Sequence, residues 1–187
     1  METKKRNTYR DLTASGICLA LCIVLPFLTG QIPQIGNALS PMHIPVLLCG
    51  FISGPFYAAA VGAIAPFLRF ILFSMPPFFP TVIPTGAVVC GAAMCFEMAV
   101  YGLSAGLLYK LLPKKLAFTY VSLIISMVLG RVVWGIAMYL ILGVAALPFS
   151  FEAFIAGAFI NAVPGIILHI AVIPVIVLAL KKARLME

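Results

Sequence analysis

The stretch Leu116-Ala-Phe-Thr-Tyr-Val-Ser-Leu-Ile-Ile-Ser-Met-Val-Leu-Gly-Arg131-Val-Val-Trp134-Gly-Ile-Ala-Met-Tyr-Leu-Ile-Leu-Gly143 is apolar from end to end, with Arg131 as its only charged residue. A helix needs roughly 20 apolar residues to cross the hydrocarbon core of a bilayer, and this run is longer than that. The turn Pro113-Lys114-Lys115 precedes it, and a short loop containing Pro148 follows. Working outward, the same pattern recurs along the whole chain. Of its 187 residues, 64% are hydrophobic and 9% charged. Soluble domains carry about 25% charged residues, and a soluble fold of this size could not hide so much apolar surface. The solvent facing most of this chain is therefore lipid.

Breakers and polar residues divide the sequence into six candidate spans: 12–30, 43–54, 56–73, 86–112, 116–143 and 152–180. The expected fold is a single all-α transmembrane domain over residues 1–187, with six transmembrane helices. The second span is short and so is expected to be tilted, buried or extended by part of the preceding loop. Ser53-Gly54-Pro55 signals a tight turn. Pro76, Pro77, Pro80 and Pro84 exclude a regular helix over Ser74 to Thr85. The run from Leu12 to Gly30 is long for the apolar part of a signal peptide and has no clear small-x-small exit, so it reads as a retained helix.

The formal net charge is +7. The basic residues lie in short clusters beside apolar runs, which points to membrane topology rather than nucleic acid. With the N-terminus in the cytoplasm, Lys4, Lys5, Arg6, Arg10, Lys110, Lys114, Lys115, Lys181, Lys182 and Arg184 all fall on the cytoplasmic side. The three opposite loops contain no Lys or Arg. Both termini are thus expected in the cytoplasm of a multi-pass protein of the bacterial plasma membrane, with an even number of spans. Cys18, Cys22, Cys49, Cys90 and Cys95 all sit in apolar runs without a Cys-x-x-Cys pair, so packing suits them better than metal or disulfide chemistry. No cofactor is expected.

Ionisable groups at membrane depth are costly and mark function or internal pairing. Arg69 lies late in the third span, where it either receives an anionic substrate group or snorkels to the interface. Glu97 and Arg131 sit at comparable depth, near mid-membrane, and can pair with each other or meet substrate. Trp134 follows Arg131 on the same face and suits stacking or packing. Asn161 and His169, eight residues apart with Pro164-Gly165 between them, lie on roughly one face of a regular helix. Asn161 is placed to hydrogen-bond a ligand, and His169 to be a satisfied interhelical histidine. The loops Gln31-Ile-Pro-Gln-Ile-Gly-Asn37 and Ser74-Met-Pro-Pro-Phe-Phe-Pro80 are stiff and partly apolar. They suit lids over a cavity, with Asn37, His43, Met75, Phe78 and Phe79 as lid residues, or else anchors in the headgroup layer. Ala14, Gly16 and Ala20 put small residues on the first helix, which permits close helix approach.

Several segments carry a family resemblance: His43-Ile-Pro-Val-Leu-Leu-Cys-Gly-Phe51, Met75-Pro-Pro-Phe-Phe-Pro-Thr81, Phe96-Glu-Met-Ala-Val-Tyr-Gly-Leu103 and Asn161-Ala-Val-Pro-Gly-Ile-Ile167. With the length, the spans and the basic ends, they make the chain resemble the S components of energy-coupling-factor transporters. The pantothenate-type and riboflavin-type members look nearest. The resemblance implies a subunit that binds a vitamin or precursor in an outward pocket and topples in the membrane. It further implies docking on a transmembrane T subunit driven by two ATPase subunits, with Ala14, Gly16 and Ala20 as the docking residues. The Gly16–Ala20 pair departs from the Ala-Ala spacing often associated with the family. By the same analogy Glu97, Arg131, Trp134 and Asn161 line the pocket. Arg69 and Arg131 suit a substrate carboxylate, and Asn161 its hydroxyl or amide groups. Pantothenate is the expected ligand and riboflavin the alternative. Two other classes compete: a stand-alone ion-coupled carrier or channel, and an intramembrane enzyme. The chain shows no Walker, Gly-x-Ser-x-Gly or His-Glu-x-x-His motif, so an enzyme is not expected.

Overall fold

The computed structural model describes residues 8–28, 39–82, 88–144, 150–183 and 186. The chain folds into α1 (Thr8–Leu28), α2 (His43–Ile52), α3 (Pro55–Phe73), the two-residue strands β1 (Thr81–Val82) and β2 (Val88–Val89), α4 (Gly91–Leu111) and α5 (Leu116–Val144). The sixth span comprises α6 (Phe151–Ile155), a π turn (Ala156–Ile160) and α7 (Val163–Lys182). Among the described residues five spans are long and apolar enough to cross a membrane, and α2 is a sixth, shorter apolar helix. The protein is therefore a multi-pass membrane protein, and its described regular structure is helical apart from the β1–β2 ladder.

The fourth span begins at Gly91 rather than near Gly86, because Val88 and Val89 pair antiparallel with Thr81 and Val82. The new helix start needs acceptors for its first N–H groups. The Pro77 carbonyl accepts from the Gly91 N–H at 2.7 Å, and the Phe78 carbonyl from the Ala92 N–H at 3.1 Å. The proline-rich loop thus caps α4. Gly54, with φ 93°, makes the turn from α2 into α3, a conformation that side chains disfavour.

The short α2 is the centre of the bundle. Its buried residues run from His43 to Phe51, with only Ile44 partly exposed, and it packs against α1, α3, α4 and α7. Ten residues span only about 15 Å, too short for a bilayer. A helix that ends at membrane depth is tolerated where protein covers it, and here protein does.

Lipid gives helices no hydrophobic drive to associate, so close packing of small residues holds them together. The α3–α4 contact is the most extensive in the bundle. A methyl group at Gly62 would collide with the Met98 backbone, and one at Gly102 with the Ala58 carbonyl. On α1, Asp11, Ser15, Cys18 and Cys22 form the buried face. The Cys49 thiol donates to Ser15 Oγ and the Cys22 thiol to the Met42 carbonyl, both at 3.5 Å. The described cysteines are free thiols. Leu12, Gly16, Ile17 and Ala20 form the exposed face of the same helix, while Ala14 is half-buried. Nothing lies within 4 Å of a methyl group built on Gly16.

These two environments predict opposite outcomes for one added methyl. Gly62→Ala should destabilise the bundle by about 1–3 kcal/mol through overpacking. Gly16→Ala should leave its thermal unfolding in detergent unchanged.

Basic residues meet at one end of the bundle. The Lys181 ammonium donates to the Lys114 carbonyl at 2.8 Å, and Lys114 Nζ lies 3.9 Å from the Tyr109 ring centroid. Phe51 packs on the same ring. This basic end therefore joins the ends of α2, α4 and α7 to the start of α5. The starts of α2 and α4 lie toward the opposite end.

Candidate functional site

A buried polar cluster forms where α2 begins. Glu97, on the second turn of α4, is 1% exposed. Because α4 starts at Gly91, Glu97 lies only about 9 Å along the helix, closer to the loop end than a start at Gly86 implies. Arg131 reaches it from α5, with Nη1 3.0 Å from Glu97 Oε1. His43 Nε2 lies 3.5 Å from the same oxygen. The Tyr101 hydroxyl interacts with both Glu97 and Arg131. Tyr101 is one turn beyond Glu97, so both project from the same face of α4.

The other half of the cluster is backbone. Ser40 adopts a left-handed conformation with φ 45° just before α2. Its carbonyl faces three nitrogens: the His43 N–H at 3.0 Å, His43 Nδ1 at 3.2 Å and His169 Nε2 at 3.3 Å. The rings of His43 and His169 stack with centroids 5.9 Å apart, and the Tyr101 ring meets His43 edge-on at 5.0 Å. A carbonyl only accepts, so His43 carries a hydrogen on Nδ1 to bond Ser40. This is a compact charged site in a low-dielectric surround, able to hydrogen-bond a polar ligand strongly.

His43, expected as a lid residue, instead opens α2 and is 3% exposed within this cluster. His169 is an interhelical histidine bonded to Ser40. Asn161 does not share its face: Asn161 is exposed and His169 buried. The eight-residue spacing assumed a regular helix, but the chain turns at Asn161 and Ala162, between the π turn and α7, and this changes the register. Asn37 lies outside the described residues. Phe78 contacts Phe67, Phe70 and Phe79, all with centroids 5.6 Å apart, so this part of the loop is anchored on α3. Phe79 is 73% exposed. Met75 offers its carbonyl to Arg69 Nε at 3.5 Å.

Trp134 stacks beside Phe154 at 6.5 Å, tilted by 25°. A methyl on Gly157 would press on the indole at 2.9 Å, so α5 and the sixth span meet through this aromatic pair. Sequence reasoning did not single out Ser40, Tyr101 or the buried Asp11. Tyr101 was readable from its i, i+4 relation to Glu97, and Asp11 from its place among apolar residues. A carbonyl such as that of Ser40 leaves no side-chain signal. Among the described residues no group of three or more His, Cys, Asp or Glu side chains is arranged to hold a metal ion.

The multi-pass bundle thus buries a charged cluster where the short α2 begins. Residues 10–177 match the family described as ECF transporter, substrate-specific component, and the chain belongs to that family. It is accordingly a substrate-binding component of a transporter rather than an enzyme. Comparison with curated proteins and with solved structures finds no match.

Proposed function

We propose that this chain captures a vitamin or vitamin precursor, pantothenate in the first instance, from outside a bacterial plasma membrane. It hands the ligand inward through a T-type transmembrane subunit and two ATPase subunits. The observation that carries this reading is the buried His43–Glu97–Arg131–His169 cluster in a chain of this family. The positive-inside rule supports placing the basic end and both termini in the cytoplasm, so that the cluster lies toward the exterior. Glu97 and Arg131 then line the floor of the site, Arg69 stands nearer its mouth, Trp134 faces the sixth span from α5, and Asn161 lies on the sixth span. The stacked Trp134–Phe154 pair favours riboflavin as the second reading, since a flat ring suits an aromatic face.

The lipid-facing stripe of Gly16 and Ala20 on α1 supports docking on the T subunit, with Ala14 at its edge. Toppling in lipid suits a small body with few exposed charges across its spans. Reconstitution into vesicles tests the assignment. Uptake is expected only when the T and ATPase subunits are present, and an ATPase inactivated in its Walker motif should abolish it. Uptake by this chain alone, driven by an ion gradient, would identify a stand-alone carrier instead.

A further inference from the structure

Among the described residues two guanidinium groups are buried at membrane depth, and only one of them has a carboxylate within ion-pair distance. Arg131 is matched by Glu97 at 3.0 Å. Arg69, on the last turns of α3, is 5% exposed. No described carboxylate lies within ion-pair distance of it, and its Nη1 is buried without a hydrogen-bond partner. Among the described residues it makes a long contact from Nε to the Met75 carbonyl at 3.5 Å. The rings of Phe27 and Phe73 flank it, with centroids 6.0 and 5.9 Å from Cζ. These faces hold the fork in place but do not neutralise it.

The chain has few acids to offer. Asp11 lies near the start of α1 and pairs with Arg10 at 3.9 Å. Glu97 is engaged by Arg131 and His43. Glu152 is exposed on α6. Glu2 and Glu187 lie outside the described residues. A desolvated cation without a partner is unfavourable, and evolution retains one at membrane depth chiefly where something else supplies the charge. Arg69 is near the end of α3 and bonds the Met75 carbonyl. The same loop caps the start of α4, the helix of Glu97, through the Pro77 and Phe78 carbonyls. Arg69 thus stands on the same side of the bundle as the Glu97 cluster.

We infer that the ligand is a soluble organic carboxylate, and that Arg69 receives its carboxylate while the Glu97–Arg131–His43 cluster binds the neutral, hydrogen-bonding part. This rests on reading the chain as a substrate-binding subunit. It fixes the ligand's orientation and favours an anion over a neutral ring system.

The test uses the full chain in nanodiscs of phosphatidylcholine. The probes are pantothenate, its primary-alcohol analogue pantothenol, and riboflavin, and native mass spectrometry identifies whatever molecule the wild-type protein retains on purification. Wild-type protein should bind pantothenate about 100-fold more tightly than pantothenol. Arg69→Gln should remove that preference by weakening pantothenate alone, and Arg69→Lys should restore part of it. If Arg69→Gln does not fold, the wild-type comparison of acid and alcohol, with the charge of the retained molecule, still decides. Equal binding of acid and alcohol, or a retained neutral molecule such as riboflavin, overturns the inference and leaves the binding-subunit reading standing. A phospholipid retained through Arg69 would show a headgroup as its partner and also overturn it. A chain that retains nothing and binds none of the probes removes both.

Discussion

Replacing Glu97 with alanine is expected to destabilise the bundle by about 3–5 kcal/mol, because it strands a buried guanidinium. Arg131 is 9% exposed and has Glu97 as its carboxylate partner at 3.0 Å. His43 would lose the same oxygen, at 3.5 Å. The double variant Glu97→Leu/Arg131→Met should recover much of the loss, since it removes both charges and keeps apolar bulk. A double-mutant cycle on thermal unfolding in detergent isolates the coupling, which for buried neighbours of this kind runs to about 3 kcal/mol. Ligand binding should separate from stability: the double variant should fold and yet bind poorly, because the polar floor of the site is gone. A double variant that binds like wild type would take Glu97 and Arg131 out of the ligand site and leave them a purely structural pair.

The second large effect concerns transport rather than stability. Gly16 lies on the lipid-facing side of α1, where an added methyl meets nothing, and Ala20 is exposed one turn on. Gly16→Leu should therefore leave folding and ligand affinity intact while abolishing uptake in vesicles that contain the T and ATPase subunits. A leucine side chain keeps two helices apart where a glycine lets their backbones approach. Ala20→Leu should act in the same direction. Parallel loss of binding and uptake in Gly16→Leu would show that the stripe supports the fold, not a partner. The Gly62→Ala variant is the control, since its damage should appear in stability first.

Much of the architecture was legible because lipid imposes strict rules on sequence. Apolar runs had to be long, breakers had to fall between them, and cations had to cluster at their ends. The pairing of Glu97 with Arg131 was legible as one of two options, since two opposite charges at similar depth have few other partners. What the sequence concealed depends on backbone geometry. The shortness of 43–54 left its position open; that α2 lies at the centre follows from small residues such as Gly50, where a methyl would come within 2.9 Å of the Gly102 carbonyl. The Ser40 carbonyl organises both histidines, yet carbonyls look alike in every residue. The expected common face for Asn161 and His169 failed because the chain turns at Asn161 and Ala162, so Asn161 lies before α7 starts at Val163 and not on the helix that carries His169. Val88 and Val89 read equally well as the start of a helix, and pairing with Thr81 and Val82 decided otherwise.

The most direct measurement is the mass of the purified chain under native conditions, without its partner subunits. The account predicts a single non-covalent small-molecule adduct, one per chain, released when the protein unfolds. A bare chain under every growth condition, together with solute flux through vesicles that hold this protein alone, would contradict it.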